Sequence, residues 1–323
     1  MKLTMAKALN RGLRRVLQAD PKTLIAGEDV GKLGGVFRVT EGLQAEFGEN
    51  RVFDSPLAES GIVGTAIGLA MRGYRPIVEI QFDGFVYPAF SQIVSQLSRF
   101  HVRTGGRVPM PVVVRIPSGG GIGAVEHHSE SVESYFVHTP GLKVVTPSDP
   151  HDAYWMIQQA VQSNDPVIFL EPKRRYQVKG EVDMENRPTP LHAAAIRRYG
   201  ADATLICYGP TVPTCLETAE IAAEEGLNLE VLDLRSLSPI DWISVRNSVS
   251  RTKRAVVVHE APLTLGLGAE LAARLHEELF YTMEAPVARV AGYDIAYPSA
   301  RVEHDYLPGV DRILDAVERS LES

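Results

Sequence analysis

Cysteine is almost absent from this 323-residue chain. The two present, Cys207 and Cys215, cannot build a disulfide framework and read as small buried hydrophobes in a reducing compartment. Long apolar runs are missing too: nothing reaches the ~20 residues that a membrane-spanning helix needs, and Met1-Lys-Leu-Thr-Met-Ala-Lys7 lacks the apolar core of a signal peptide. Basic residues are outnumbered 33 to 40, and the net charge of −7 argues against nucleic acid, which takes a basic face. No Walker A lysine motif occurs. What these absences leave is a soluble cytoplasmic chain that meets neither nucleic acid nor membrane and is long enough for two cores.

What is present is alternation. Met5, Ala8, Leu9, Leu13, Val16 and Leu17 recur at helical spacing, and Thr23–Gly27 follows as a strand ending on glycine. Val52-Phe53, Pro76–Ile80, Pro111–Arg115, Leu142–Val145 and Pro166–Leu170 repeat the strand pattern, with helices expected over 61–71, 87–100 and 152–161. From Gln177 to Leu191 the residues turn polar and proline-bearing, as a linker would. Alternation then resumes with strands at Ala203–Tyr208, Leu229–Asp233, Arg254–Val258 and Ala288–Ala291, and a closing helix from about Asp311. The pattern predicts two α/β domains, over 1–180 and 198–323, joined by a linker at 181–197, with parallel sheets carrying helices on both faces.

Several places could carry chemistry. In Asp54-Ser-Pro-Leu-Ala-Glu-Ser-Gly61 a strand turns into a glycine-rich helix and aims Glu59 from the bend, at a sheet end where α/β proteins bind ligands. The plainer reading of Glu59 is a capping or dipole partner. In Glu79-Ile-Gln-Phe-Asp-Gly-Phe-Val-Tyr-Pro88 a strand ends in an acid, an amide and aromatic rings. Gln81 could bond the edge of a planar heteroaromatic ligand and Phe85 could stack on it, although such aromatics also serve a core. Asp29 follows another strand and could cap a turn.

Gly119-Gly-Gly-Ile-Gly-Ala124 fits a dinucleotide fingerprint formally, but Val125-Glu-His-His-Ser-Glu-Ser131 is too polar to open the helix that would face a pyrophosphate. His127 and His128 are expected to point in different directions and lack zinc-type spacing, so no metal is expected there. A proton donor or substrate-positioning imidazole on a loop remains, beside a plain solvated histidine. Lys173-Arg-Arg175 and Arg251-Thr-Lys-Arg254 read as solvated surface, with a docking patch as the alternative.

Taken in order, Gly27-Glu-Asp-Val-Gly31, Gly35-Val-Phe-Arg-Val-Thr-Glu-Gly42, Asp54-Ser-Pro-Leu-Ala-Glu59, Glu79-Ile-Gln-Phe82, His128-Ser-Glu-Ser131, Phe169-Leu-Glu-Pro-Lys173, Val231-Leu-Asp-Leu-Arg235 and Glu284-Ala-Pro-Val-Ala-Arg289 resemble the β subunit of the thiamine-diphosphate-dependent 2-oxoacid dehydrogenases, across essentially the whole chain. The resemblance implies a pyrimidine-binding domain of the thiamine-diphosphate-binding fold, followed by a transketolase C-terminal-like α/β domain. It implies that Glu59 bonds N1′ of the cofactor's aminopyrimidine. That makes the exocyclic amine acidic enough to take the thiazolium C2 proton, help typically worth ~10²–10⁴ in rate.

It further implies that the Leu57 backbone approaches the pyrimidine, that Gln81 is a polar cofactor-site residue and that Phe85 stacks near the ring, where branched-chain enzymes commonly have tyrosine. His128 matches the histidine proposed to aid reductive acylation of the lipoyl group. Some family members bind potassium (K+) through backbone carbonyls near Val112–Val114 and the turn around Asp165.

No Gly-Asp-Gly motif occurs, so the resemblance assigns the magnesium (Mg2+) and diphosphate to a separate α subunit. The expected assembly is a heterotetramer of two α and two β chains, serving a lipoyl-bearing dihydrolipoyl acyltransferase core. Segments 79–90, 170–176 and His259-Glu-Ala-Pro-Leu263 look like the branched-chain enzyme (3-methyl-2-oxobutanoate dehydrogenase), whereas Arg103-Thr-Gly-Gly106 and the loop to His128 are also similar to bacterial pyruvate dehydrogenase β subunits. A transketolase or deoxyxylulose-phosphate-type enzyme would carry the diphosphate motif in the same chain. A non-catalytic scaffold would not need Glu59, Gln81 and His128 together.

Overall fold

The chain opens with a short strand, β1 (Lys2–Thr4), whose last residue caps α1 (Met5–Ala19) by accepting a hydrogen bond from the Lys7 amide at 3.3 Å. Met5, Ala8, Leu9, Leu13, Val16 and Leu17 are buried along one face, as their spacing predicts. In this computed structural model, which describes residues 1–186 and 188–322, two compact units form. The first comprises 1–118 and 135–191, and the second 119–134 and 192–323, so a stretch from the middle of the sequence clusters with the C-terminal part. Position 187 of the expected linker and position 323 of the expected C-terminal domain lie outside the described residues.

After α1 the first unit continues with β2 (Thr23–Gly27), α2 (Leu43–Phe47), β3 (Val52–Asp54), α3 (Glu59–Met71), β4 (Arg75–Glu79), α4 (Ser98–Arg103), β5 (Val113–Ser118), α5 (Glu133–Val137, whose first two residues cluster with the second unit), β6 (Lys143–Val145), α6 (Pro150–Gln162), β7 (Val167–Pro172) and β8 (Lys179–Glu181). Six parallel strands bond in the order β6-β7-β5-β4-β2-β3. β2, β5 and β7 are buried throughout, which is why they read as unbroken apolar runs rather than alternating ones. Helix α1 packs on α6 so closely that a Cβ on Gly12 would stand 2.5 Å from Ile157 and 2.8 Å from the Tyr154 carbonyl.

One expectation changes. The helix expected over 87–100 is instead a 3-10 stretch, Asp83–Ala89, then a π-helical stretch, Gln92–Leu97, leading into α4. Pro88 lies inside the first stretch and cannot donate a backbone hydrogen bond there. The polar linker is partly ordered: β8 pairs antiparallel with β1, matching Lys2 to Glu181.

The second unit contains β9 (Ala195–Arg198), β10 (Ala203–Cys207), α7 (Val212–Glu224), β11 (Leu229–Asp233), β12 (Ser236–Ser238), α8 (Trp242–Thr252), β13 (Ala255–Pro262), α9 (Leu267–Leu279), β14 (Ala288–Gly292), α10 (Glu303–Tyr306) and α11 (Val310–Glu322). Its sheet runs β14-β13-β10-β11-β9, parallel except for β9. That antiparallel edge lies in the stretch expected to be linker. It is held where Arg197 pairs with the buried Asp233 at 2.8 Å. Cys207 and Cys215 are free and buried. Among the described residues no helix is long and apolar enough to cross a membrane.

Candidate functional site

Strands β3, β2 and β4 end in step, with Gly27 opposite both Asp54 and Glu79. Whatever follows those strands gathers at one sheet end: Glu28-Asp29, Leu57–Glu59 and Gln81–Phe85. Switch points and strand ends of parallel sheets are where ligands bind, so topology converges segments that lie far apart in sequence.

Glu59 is the first residue of α3 and only 7% exposed. The cap position is Ala58, which makes no side-chain hydrogen bond, and among the described residues no group bonds the Glu59 carboxyl. The capping reading therefore fails, while the positive end of the helix dipole still favours a carboxylate there. Glu28 is also buried, and its Oε1 has no hydrogen-bond partner among the described residues. Burial pushes the Glu28 carboxyl above the ordinary range, and the negative charges of Glu59, Asp29 and Glu79 push it the same way. Four acids thus share one field.

Gln81 Nε2 donates to Asp29 Oδ2 at 3.0 Å. Asp29 itself has φ +57°, a left-handed turn conformation that aspartate tolerates better than most residues. Phe85 meets Phe82 edge-on at 5.8 Å. Phe82 meets Phe37 edge-on at 5.6 Å, and Phe37 stacks on Tyr176 at 4.7 Å, so the ring expected at a ligand edge also joins an aromatic row running inward. Leu57 is 78% exposed, its side chain turned to the outside.

Beneath these groups the unit holds charges deep inside. Arg115 is fully buried, bonding Glu79 Oε2 at 2.5 Å and both oxygens of Glu171 at 2.7 and 2.8 Å, while Tyr176 donates to Glu171 at 2.6 Å. Burial raises the Glu79 carboxyl, against the pull of Arg115. Lys173, expected at the surface, is instead buried 2.7 Å from Asp83, because the turn after β7 runs inward. Burial lifts Asp83 to about 6 although Lys173 opposes it. The other basic cluster is surface-held, Lys253 and Arg254 both pairing with Glu284.

An apolar cleft of about 260 Å³ runs along α3, lined by Phe53, Pro56, Ala58, Gly61, Ile62 and Leu69 among others; Glu59, Gln81 and Phe85 do not line it.

His128 belongs to the second unit, in the 119–134 stretch. The two histidines do not diverge as expected: a 3-10 turn, Glu126–His128, brings their rings edge-on at 4.3 Å. No longer helix follows Gly119–Ala124 directly. Among the described residues no group of three or more His, Cys, Asp or Glu is placed to hold a metal.

Sequence reasoning passed over Glu28, and it passed over Arg115 and Glu171 as site supports. A charged residue inside an otherwise apolar strand was the available signal, because such a residue must find a buried partner.

Residues 1–179 match the family model for the transketolase pyrimidine binding domain, and residues 192–313 that for the transketolase C-terminal domain. A pyruvate dehydrogenase E1 component subunit beta from Leifsonia xyli subsp. xyli is 63% identical over 319 residues, covering 99% of this chain and 95% of that one. A 3-methyl-2-oxobutanoate dehydrogenase subunit beta from Mycobacterium tuberculosis is 56% identical over 320 residues, covering 99% and 92%. A solved split-gene transketolase, described as an inactive beta4 tetramer, superposes with a TM-score of 0.82 over 99% of this chain and 98% of that one. At 23% identity, that likeness concerns the fold.

The two matched domains and their sheets make this a transketolase-type α/β chain. It belongs to the β subunits of the thiamine-diphosphate-dependent 2-oxoacid dehydrogenases.

Proposed function

We propose that this chain supplies the pyrimidine half of a thiamine diphosphate site in a cytoplasmic enzyme that oxidatively decarboxylates a small 2-oxoacid and passes the acyl group to a lipoyl arm. One observation carries the reading: Glu59 is a buried residue at the head of α3 whose carboxyl has no bonding partner among the described residues. A carboxyl held at a helix head in a confined place is open to an N–H or ring nitrogen arriving from a ligand. The neighbouring residues fit the same occupant. Gln81 and the free oxygen of Glu28 offer polar edges, Phe85 an aromatic face, and the Leu57 turn a backbone approach.

In this reading Glu59 would hydrogen-bond N1′, and Glu28, its carboxyl raised by burial and then by the charges of Glu59, Asp29 and Glu79, lies in the same acidic field, which favours a proton at that bond. The bound cofactor supplies an electron sink for the loss of CO₂. Gln81, fixed by Asp29, orients the pyrimidine edge. His128 carries the proton needed when the lipoyl group is acylated.

Magnesium and the diphosphate are assigned to an α subunit, in a two-α, two-β heterotetramer working with a dihydrolipoyl acyltransferase core. Potassium would be held through backbone carbonyls near Val112–Val114 and the turn around Asp165, a carbonyl that accepts one amide keeping a second lone pair. At its expected place the Asp165 carboxylate is engaged by His101 and Lys143, and the Val112 and Asn164 carbonyls accept amides from Val167 and Met110.

Segments 79–90, 170–176 and 259–263 favour branched-chain 2-oxoacids of the 3-methyl-2-oxobutanoate type. The second reading is pyruvate, favoured by the relative at 63% identity. Glu59→Gln in the assembled α/β enzyme should slow C2 proton exchange by ~10²–10⁴; an unchanged exchange rate removes the assigned role. Decarboxylation by the β chain alone would refute the shared site. The ratio of kcat/KM for 3-methyl-2-oxobutanoate and pyruvate decides the substrate.

A further inference from the structure

The stretch that bears His128 is fastened at both ends within the second unit. At its glycine-rich start, Gly119, Gly121 and Gly123 all have positive φ, +82°, +82° and +71°. The Gly121 N–H donates to Tyr297 Oη at 3.0 Å and the Gly123 N–H donates to Glu303 Oε1 at 3.0 Å. Tyr297 Oη in turn donates to Glu303 Oε2 at 3.0 Å. Two main-chain amides and two side chains thereby form one closed circuit.

The fit is tight. Glu303, the first residue of α10, is 6% exposed, and a Cβ on Gly120 would stand 1.9 Å from Tyr297 Oη, so the phenol is seated against bare backbone. The segment then closes on itself: the Gly119 N–H donates to the Glu130 carbonyl at 2.9 Å, and the His128 N–H and Ser129 Oγ both donate to the Val125 carbonyl, at 3.0 and 3.1 Å. Just beyond, Tyr208 at the end of β10 donates to the buried Glu133 at 2.9 Å. His128 hangs between these fastenings.

Glycine-rich backbone is the most freely moving kind, and left alone it would spread the imidazole over many positions. A closed loop pinned at two amides by a buried carboxylate and the phenol it orients removes that freedom. We propose that Tyr297 and Glu303 are positioning residues for His128: they lock the 119–123 turn and thereby set where the imidazole stands when the lipoyl arm arrives. This inference rests on the reading that His128 serves acyl transfer. Tyr297 and Glu303 touch no reacting atom in it.

The test uses the assembled α/β enzyme and two rates, 2-oxoacid-dependent reduction of a dye, which bypasses the lipoyl group, and acylation of a free lipoyl domain. His128→Gln is the reference variant. Tyr297→Phe and Glu303→Gln should each lower kcat for lipoyl acylation by about tenfold or more, with the dye rate kept within about twofold, since small displacements of a reacting group cost ~10²-fold.

Gly120→Ala dislodges the same phenol from the other side and should reproduce the Tyr297→Phe loss. The double variant should be no worse than either single one, because both break one contact. If dye reduction and acylation fall in equal proportion, the residues are merely structural and the inference is overturned. It is overturned equally if His128→Gln slows acylation while Tyr297→Phe and Glu303→Gln do not, which leaves the role of His128 standing. If His128→Gln leaves acylation intact, the functional reading of His128 is what fails, and the inference falls with it.

Discussion

Gln81 and Asp29, 52 residues apart in sequence, are joined by a 3.0 Å hydrogen bond between the turns that follow two neighbouring parallel strands. The bond sets the amide's orientation before any ligand arrives. Asp29 holds φ +57°, so its carboxylate is itself positioned by an uncommon backbone. Asp29→Ala should leave Gln81 free to rotate and raise the thiamine diphosphate KM of the assembled enzyme by roughly 3–10-fold, the value of one ordinary hydrogen bond. Steady-state titration with cofactor checks this, and an unchanged KM would detach Gln81 from the site.

Arg115 carries the floor of that site. One guanidinium serves Glu79 and Glu171, all three buried, and removing it leaves two carboxylates in a dry interior. Arg115→Met should destabilise the chain by about 3–5 kcal/mol, as expected on breaking a buried pair from one side. Urea unfolding of the variant measures it; a loss below ~1 kcal/mol would mean that water reaches the pair.

Lys173 and Asp83 form a second buried pair, 2.7 Å apart, under the segment that presents Phe85. Lys173→Met alone should cost several kcal/mol, and adding Asp83→Asn should restore part of it, because the second change removes the charge that the first stranded. Full additivity in the double-mutant cycle would contradict the pairing.

Two buried groups of the second unit oppose each other in pH dependence. Burial lifts Glu133 to about 7, with Tyr208 opposing and Glu260 adding to the rise. The folded state then keeps a proton that the unfolded chain releases above about 4.5, so the contribution of Glu133 is whole below pH ~4.5 and is lost as pH rises to about 7. Burial lowers His259 to about 4, so its contribution is whole above pH ~6.5 and is lost as pH falls toward about 4. Each is worth up to about 3 kcal/mol, and in the overlapping window they offset.

Relative to the wild-type chain, Glu133→Gln should gain stability as pH rises from 4.5 to 7, and His259→Asn should lose it from 4 to 6.5. Chemical denaturation at stepped pH reads both; parallel curves for all three proteins would refute the assignment.

Most strands and the long helices were legible because each is buried in a characteristic way. Thr23–Gly27 and Leu229–Asp233 lie where their apolar runs put them, and α1 buries the face that its spacing marks. The half-helical 83–103 stretch was not legible, since Pro88 and the mixed hydrogen bonding around it are decided by packing rather than by period. β8 and β9 escaped for a related reason: they are short and half-exposed, and they take their order from partners far away in sequence. Glu59 stood out through its motif. Glu28 did not, because nothing local distinguishes a buried acid without a partner from a solvated one.

The amino-acid sequence by itself determined the alternating α/β plan, the family to which the chain belongs and the absence of its own Gly-Asp-Gly motif, since these are properties of residue type and order. Only the tertiary structure decided which acids share a field, that Lys173 turns inward to Asp83, and that the His128 stretch clusters with residues nearly two hundred positions downstream. Desolvation and long-range hydrogen bonds depend on what lies within a few ångströms in space, and the order of residues along the chain does not specify that distance.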